Sequence, residues 1–197
     1  MTARSLLTAV LLLLAWSRAG CGEVRRDLAL ASPLLGRDIP YAIYLPDGHD
    51  EPGRRFPILY LLHGHGGRGS DWIDAGGLEP TLDALIRQAA VPPLVVAMPS
   101  MGDGWYVDAA SPPGPGALQS AFLQDFVPGI ERVWPVTRRR EGRAVAGLSM
   151  GGWGALRFAM LEPGRFVAAA SLSGALWRRE LGPMLRFVGA IFRASAR

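Results

Sequence analysis

The five residues from Gly147 to Gly151 have the types and spacing of an enzyme nucleophile. They read Gly-Leu-Ser-Met-Gly, the pattern G-x-S-x-G with Ser149 at its centre. An extended pattern over residues 143–147 precedes the motif and a helical pattern over 150–161 follows it, which puts Ser149 at a sharp strand-to-helix turn. The flanking glycines remove side chains that would collide there, and the helix N-terminus favours negative charge nearby. We therefore interpret Ser149 as a nucleophile for acyl transfer rather than as part of a glycine-rich turn.

A second glycine-rich segment, His63 to Gly67, follows directly after the apolar run 57–62. Acyl transfer needs two N–H donors that point at the oxygen of the tetrahedral intermediate. At a turn of this kind one donor is the backbone N–H of the residue after the nucleophile, here Met150, and the other comes from the loop after an early strand. By its position, the backbone N–H of His65 is the expected second donor.

The pair His63 and His65 also has the His-x-His spacing of some metal sites. No further His follows along the chain, and Asp71 and Asp74 are not at a strong ligand spacing. The sequence therefore predicts no metal and no other cofactor, because serine-based acyl transfer uses a side chain, an imidazole and backbone dipoles.

A complete catalytic triad is missing from the sequence. In this arrangement the acid and then the His follow the nucleophile along the chain, but no His follows Ser149, and Glu162 and Glu180 are the only acids after it. His63 could serve as the base only from the oxyanion side of the cleft, opposite to the usual loop. We therefore expect a truncated chain that is nearly inactive as it stands, and the alternative is a non-catalytic binding module that kept the scaffold.

Strand and helix patterns alternate along the chain, which predicts an α/β fold with a mostly parallel sheet and helices on both faces. A helical pattern runs from Ala117 to Trp134 and is interrupted at Pro128, as a kinked helix or as two abutting helices. The predicted strands cover residues 28–32, 39–45, 57–62, 94–98, 143–147 and 166–172, and the other predicted helices cover 78–89 and 150–161.

Composition restricts the partners. The 197 residues suit one domain, and the net charge of +4 comes with scattered Arg residues and no Lys. Without a basic stripe or a nucleic-acid motif, we expect no nucleic-acid partner. The expected partner is a small-molecule ester or acyl substrate, and the sequence gives no indication of the oligomeric state.

The first 21 residues differ from the rest. Arg4 precedes the apolar run 6–16, which small residues follow, as in a secretory signal. Residues 1–21 are therefore predicted to be an export signal and residues 22–197 the domain, in the periplasm, at the cell surface or outside the cell. Cys21 follows Ala19 and Gly20 like the acylated Cys of a bacterial lipoprotein, although Arg18 replaces the usual apolar residue. A lipid anchor on Cys21, the only membrane contact we expect, and ordinary cleavage near Ala19 both stay open.

Residues from about 37 to 174 resemble a bacterial esterase family with the α/β-hydrolase fold. That family includes S-formylglutathione hydrolases (esterase D), feruloyl esterase domains and the mycolyltransferases of the antigen 85 complex. The resemblance rests on five stretches: FPILYLLHGHGG, GWYVD, FLQDFVPGIERVWPV, AVAGLSMGGWGALRFAMLEPGRF and SLSG.

The resemblance implies hydrolysis of carboxylic esters, or acyl transfer to a sugar or alcohol, through a Ser-His-Asp triad. It implies Ser149 as the nucleophile and the backbone N–H groups of Met150 and His65 as oxyanion donors. It also places Asp103, Trp105 and Tyr106 where such proteins shape the substrate cleft. The family continues well beyond SLSG, so the fold is expected to be C-terminally incomplete here.

Overall fold

The computed structural model describes residues 20–109 and 116–176 of the chain. The predicted export signal lies outside these ranges except for Gly20 and Cys21, as do residues 110–115 and 177–197 of the predicted domain. No helix within the described ranges is long and apolar enough to cross a membrane.

Strands and helices alternate as the sequence patterns predict. The strands are β1 (Glu23–Ser32), β2 (Arg37–Leu45), β3 (Ile58–Leu62), β4 (Val95–Pro99), β5 (Arg143–Leu148) and β6 (Ala168–Leu172). The helices are α1 (Asp71–Asp74), α2 (Leu78–Arg87), α3 (Leu118–Ser120), a π-helical segment (Ala121–Phe126), α4 (Val127–Val133), a 3-10 turn (Arg140–Gly142) and α5 (Met150–Leu161).

The six strands form one sheet in the order β1-β2-β4-β3-β5-β6. β2 pairs antiparallel with β1 and with β4, and all other neighbours are parallel. The register of β3 on β5 pairs Leu62 with Gly147. The loops that follow these two strands therefore leave the sheet side by side, at the edge where parallel α/β sheets carry their sites. The predicted α/β fold class is confirmed.

The helical stretch from Leu118 to Val133 resolves the two alternatives left open at Pro128. It is continuous, but its middle third is π-helical, and Pro128 follows directly in the first turn of α4. Proline has no N–H to donate and crowds the carbonyl one turn before it. The wider π turn relieves this crowding without ending the helix.

Each face of the sheet carries its own apolar core. On one face, Tyr60 of β3 packs edge-on against Phe122 of the π-helical segment, and the Phe122 ring stacks on Phe158 of α5 with centroids 4.5 Å apart. On the other face, Ile73 of α1 and Leu82 of α2 pack against the strands. The helix that follows the nucleophile is thus fixed to the sheet by aromatic contacts.

A buried ion pair joins α4 to the start of β5. Glu131 is 6% exposed, and its two carboxylate oxygens accept hydrogen bonds from Nε and Nη2 of Arg143. Arg143 also donates to the backbone carbonyl oxygens of Arg138 and Arg165, at 2.8 and 3.3 Å. The guanidinium therefore fastens the strand that leads to Ser149 to the segments on both sides of it.

Replacing Arg143 should destabilise the chain much more than replacing an exposed arginine. Arg143→Leu leaves the Glu131 carboxylate buried without its partner, which costs about 3–5 kcal/mol in comparable proteins. The control is Arg26→Leu, because Arg26 contacts Asp74 at 3.4 Å with both side chains about half exposed, and such pairs contribute about 0–1 kcal/mol. Urea unfolding gives both values. Equal midpoints for the two variants would refute the structural role of Arg143.

Candidate active site

Ser149 occupies a strained turn between β5 and α5. Its backbone angles are φ 52° and ψ −112°, a region that costs a residue with a side chain about 1–3 kcal/mol. Neighbouring backbone groups hold this conformation. The Ser149 N–H donates to the carbonyl of Leu172 in β6 at 2.9 Å, and the Ser149 carbonyl accepts from the N–H groups of Trp153 and Ala175 at 3.0 and 3.1 Å. The turn therefore depends on β6 and on the first turn of α5 together.

Two glycines make this turn sterically feasible. A Cβ added to Gly151 would lie 2.4 Å from the carbonyl oxygen of Leu62 and 2.6 Å from that of His63. One added to Gly147 would lie 2.4 Å from the backbone of Gly151. The N-terminus of α5 thus lies directly on the carboxyl end of β3, where no side chain fits. The expectation that these glycines prevent collisions agrees with these distances.

The loop His63–Gly67 lies beside the nucleophile because of this contact. A Cβ added to Gly64 would be 3.6 Å from the Cβ of Ser149. The N–H of Gly67 donates to the carbonyl of Gly64 at 3.1 Å, which closes the loop into a tight turn around His65. Met150 begins α5, and the first N–H groups of a helix have no acceptor in its own ladder. The roles of Met150 and His65 as oxyanion donors remain predictions.

Asp103 binds this loop from the segment after β4. Its Oδ1 accepts the N–H of Gly66 at 2.6 Å and lies 3.4 Å from Nδ1 of His65. Both side chains of this His–Asp pair are about half exposed. A sequence pattern cannot show this contact, because 37 residues separate Asp103 from Gly66. The carboxylate fixes the peptide that follows His65.

Trp105 and Tyr106 also contact this loop. The Trp105 ring stacks on the His65 imidazole with centroids 6.4 Å apart and an interplanar angle of 29°. Tyr106 is fully buried, and its hydroxyl donates to the carbonyl of His63 at 3.0 Å. Burial raises the pKa of the Tyr106 hydroxyl well above its usual value. That Asp103, Trp105 and Tyr106 also contact substrate stays a prediction.

His63 is held by two hydrogen bonds inside the chain. It is 2% exposed, the N–H of Met101 donates to Nε2 at 3.1 Å, and Nδ1 lies 2.7 Å from the carbonyl oxygen of Gly64. Because Nε2 accepts a hydrogen bond, Nδ1 carries the proton and donates. Burial lowers the pKa of His63, against a smaller opposing effect of the Gly64 carbonyl. Both nitrogens are engaged, so His63 is suited to a structural role rather than to that of a general base.

A cavity of about 520 Å³ opens between the His63–Gly67 loop and α1, and Leu148, the residue before Ser149, is in its lining. Its loop side is formed by His63 to Gly67 together with Leu148, and its opposite side by Asp71, Trp72, Ala75 and Gly76. This volume is in the range of small-molecule sites. Sequence reasoning did not identify Trp72, because the four residues of α1 are too few to show a helical period.

The structure brings Ser149, Met150 and the His65 loop together, and the predicted cleft residues Asp103, Trp105 and Tyr106 all contact that loop. Cys21 lies elsewhere, exposed between residues that contact Asp47 and Asp83. Within residues 20–109 and 116–176, no cluster of three or more His, Cys, Asp or Glu side chains could hold a metal ion.

Comparisons with known proteins agree with this geometry. A family model described as "Putative esterase" matches residues 32–194. Esterase Rv1288 of Mycobacterium tuberculosis is 39% identical over 145 residues, which cover 71% of this chain. The matched part of this chain spans only 30% of the length of that protein.

Solved structures share the fold. A ferulic acid esterase superposes with a TM-score of 0.75 at 27% identity, over 82% of this chain and 61% of that one. An S-formylglutathione hydrolase from Agrobacterium tumefaciens gives 0.69 at 19% identity, over 90% of this chain and 69% of that one. The predicted α/β-hydrolase fold is confirmed.

Adding one methyl group at Gly151 should destabilise the chain. Gly151→Ala puts a carbon 2.4 Å from the Leu62 carbonyl, and overpacking of this kind costs about 1–3 kcal/mol. Gly164→Ala is the control, because a Cβ there has no neighbour within 4 Å. Urea unfolding should show a clear loss of stability for the first variant only. A Gly151→Ala chain as stable as Gly164→Ala would contradict the close contact between α5 and β3.

Acid should destabilise the folded chain through His63. The pKa of His63 is lowered on folding, so below about pH 6.5 the unfolded chain binds more protons than the folded one. The free energy of unfolding therefore falls as pH drops from 6.5, by at most about 1.4 kcal/mol per pH unit from this group.

The measurement compares urea midpoints at pH 7.5 and pH 5. His63→Gln should show a smaller loss between the two pH values than the unmodified chain. If His63→Gln retained the full pH dependence, another group would be its source.

Proposed function

Because the chain belongs to the family described as "Putative esterase", we propose that it is part of an exported serine esterase that forms an acyl-enzyme on Ser149. The observation that carries this proposal is the strained Ser149 turn packed against the His63–Gly67 loop. Strained backbone conformations cluster at active sites. A side chain at the N-terminus of a buried helix, beside a glycine-rich loop, is suited to attack a carbonyl carbon.

In the proposed reaction the Ser149 hydroxyl attacks the ester carbonyl carbon and loses its proton to a base. The carbonyl oxygen becomes an oxyanion, which accepts hydrogen bonds from the N–H groups of Met150 and His65. Collapse breaks the bond to the alcohol, which leaves with that proton. Water then attacks the acyl-enzyme by the same route, releases the carboxylic acid and restores the hydroxyl.

We propose that the base comes from outside the described residues. His63 uses both nitrogens internally, His49 contacts Pro46 and Glu23, and His65 faces Asp103 on the oxyanion side. No other His occurs in the sequence. We therefore propose that the acid and the His of the triad belong to a part of the protein that this sequence does not contain.

The substrate is proposed to be a small ester whose acyl or alcohol part enters the 520 Å³ cavity. Trp72 offers an apolar surface there. Export is proposed from the pattern of residues 1–21, with the periplasm, the cell surface or the medium as the destination.

Added imidazole should restore Ser149-dependent hydrolysis in this chain, because it can supply the missing base. Loss of the His partner costs about a million-fold in a studied serine protease, so the chain alone should hydrolyse p-nitrophenyl butyrate hardly faster than Ser149→Ala. With increasing imidazole, the unmodified chain should exceed Ser149→Ala measured at the same imidazole concentration. Intact-mass analysis during turnover should detect a butyryl adduct on the unmodified chain.

Ser173→Ala is the matched control, because Ser173 is an exposed serine near the turn that also has a positive φ, 47°. It should retain the imidazole-dependent rate. A rate that is identical in the unmodified and Ser149→Ala chains at every imidazole concentration would reject the acyl-enzyme. Efficient turnover without imidazole, abolished by Ser149→Ala, would place the base within this chain.

A further inference from the structure

The first described residues, Gly20 to Gly22, bind to the body of the domain. The N–H of Gly20 donates to the Asp47 carboxylate at 3.1 Å, and the N–H of Gly22 donates to the Asp83 carboxylate at 2.9 Å. Asp47 follows β2 and Asp83 lies on α2. Gly20 and Gly22 thus contact two separate segments of the domain before β1 begins at Glu23.

Tyr44 packs against Gly22 and Asp83 in this contact. It is 1% exposed, and its hydroxyl donates to the same Asp83 oxygen that accepts the Gly22 N–H, at 2.7 Å. A Cβ added to Gly22 would lie 2.4 Å from the Tyr44 ring. The Gly22 backbone therefore lies directly against the Tyr44 ring, at a distance that only glycine allows. We call Tyr44, Asp47 and Asp83 the N-terminal binding site.

The surroundings of this site favour a positive group. A cavity of about 340 Å³ adjoins it and is lined by Gly20, Asp47, Glu51, Arg54, Asp83 and Arg87. The Arg54 guanidinium is 3.0 Å from the Glu51 carboxylate and is thereby partly neutralised. The Gly20 nitrogen lies at the Asp47 carboxylate itself, where an ammonium group would add the attraction between opposite charges to the hydrogen bond that a peptide N–H already donates.

The residues just before Gly20 have the pattern of a cleavage site. Ser17-Arg18-Ala19 places small residues one and three positions before Gly20, as signal peptidases require. We propose that a signal peptidase cleaves the Ala19–Gly20 bond during export, and that the new α-ammonium group of Gly20 binds Asp47. Water is the co-reactant: Ala19 leaves with a carboxylate, and Gly20 gains the ammonium. This inference rests on the export part of the proposed function.

The contacts of Gly20 and Gly22 favour cleavage before Gly20 over cleavage before Cys21. Cleavage there would remove Gly20 and its contact with Asp47. An acyl group on Cys21 would have no free segment of chain between it and the domain, because the next residue, Gly22, is already bound to Asp83. It would also bring the carboxylates of Asp47 and Asp83 close to a membrane surface, where anionic lipids repel them. Cleavage at Gly20 keeps every contact that the structure shows.

The chain offers a selective chemical test. Since residues 1–197 contain no Lys, the N-terminal α-amine is the only primary amine in this chain. The gene segment that encodes residues 1–197 is expressed in an export-competent bacterium, and the exported chain is analysed by intact mass and N-terminal sequencing. The expected chain starts at Gly20 with a free amine, and one equivalent of an acetyl N-hydroxysuccinimide ester modifies it once.

Thermal unfolding of the exported chain then tests the contact with Asp47. Acetylation removes the positive charge, so it should lower the unfolding midpoint of the unmodified chain by about 2 °C. It should have a much smaller effect on Asp47→Asn, where the carboxylate is gone. Asp50→Asn, an exposed carboxylate three residues further on, is the control and should respond like the unmodified chain.

The outcomes separate the two proposals. An exported chain that starts at any other residue, or at a lipid-modified Cys21, overturns the proposal that the Gly20 ammonium group binds at the N-terminal binding site. It leaves the export proposal intact. A chain that stays in the cytoplasm with residues 1–19 attached overturns both. An equal response to acetylation in the unmodified and Asp47→Asn chains shows that Asp47 does not bind the ammonium group.

Discussion

The contact between the start of α5 and the end of β3 is the constraint on which the rest of the candidate site depends. The backbone of Gly151 lies so close to the carbonyl oxygens of Leu62 and His63 that no side chain fits. The parallel register that pairs Leu62 with Gly147 brings both strand ends to one level. Ser149 and the His63–Gly67 loop are therefore neighbours because of sheet geometry, before any side chain contributes.

The strain at Ser149 is distributed over elements that are distant in sequence. Its N–H needs the carbonyl of Leu172, and its carbonyl accepts from Ala175, so β6 must be in place before the turn is stable. β5 in turn is fastened by Arg143 to the buried Glu131. A backbone conformation that costs about 1–3 kcal/mol persists only when its surroundings determine it in this way. The turn is thus a property of the folded sheet rather than of five residues.

Features encoded locally could be predicted from the sequence, and contacts between distant segments could not. The strand before Ser149, the helix after it and the glycines around it are all within a few residues, and the structure has them where the pattern predicts. The hydrogen bond from Gly66 to Asp103 spans 37 residues and the one from Gly22 to Asp83 spans 61, and no periodicity signals either. The π-helical segment also could not be predicted from the sequence, because Pro128 indicates an interruption of the helix without specifying how the backbone accommodates it.

The two imidazoles of the His63–Gly67 loop illustrate why residue type alone does not assign chemistry. His63 and His65 are two residues apart on one loop, yet one is buried with both nitrogens engaged and the other is half exposed beside Asp103. A base must have a free nitrogen that reaches the serine hydroxyl, and burial has removed His63 from that role by giving it a structural one. Its hydrogen bond from Met101 connects the segment after β4 to the His63–Gly67 loop. The histidine that a motif search notices first therefore maintains the conformation of this loop, and under the proposed function a further imidazole supplies the base.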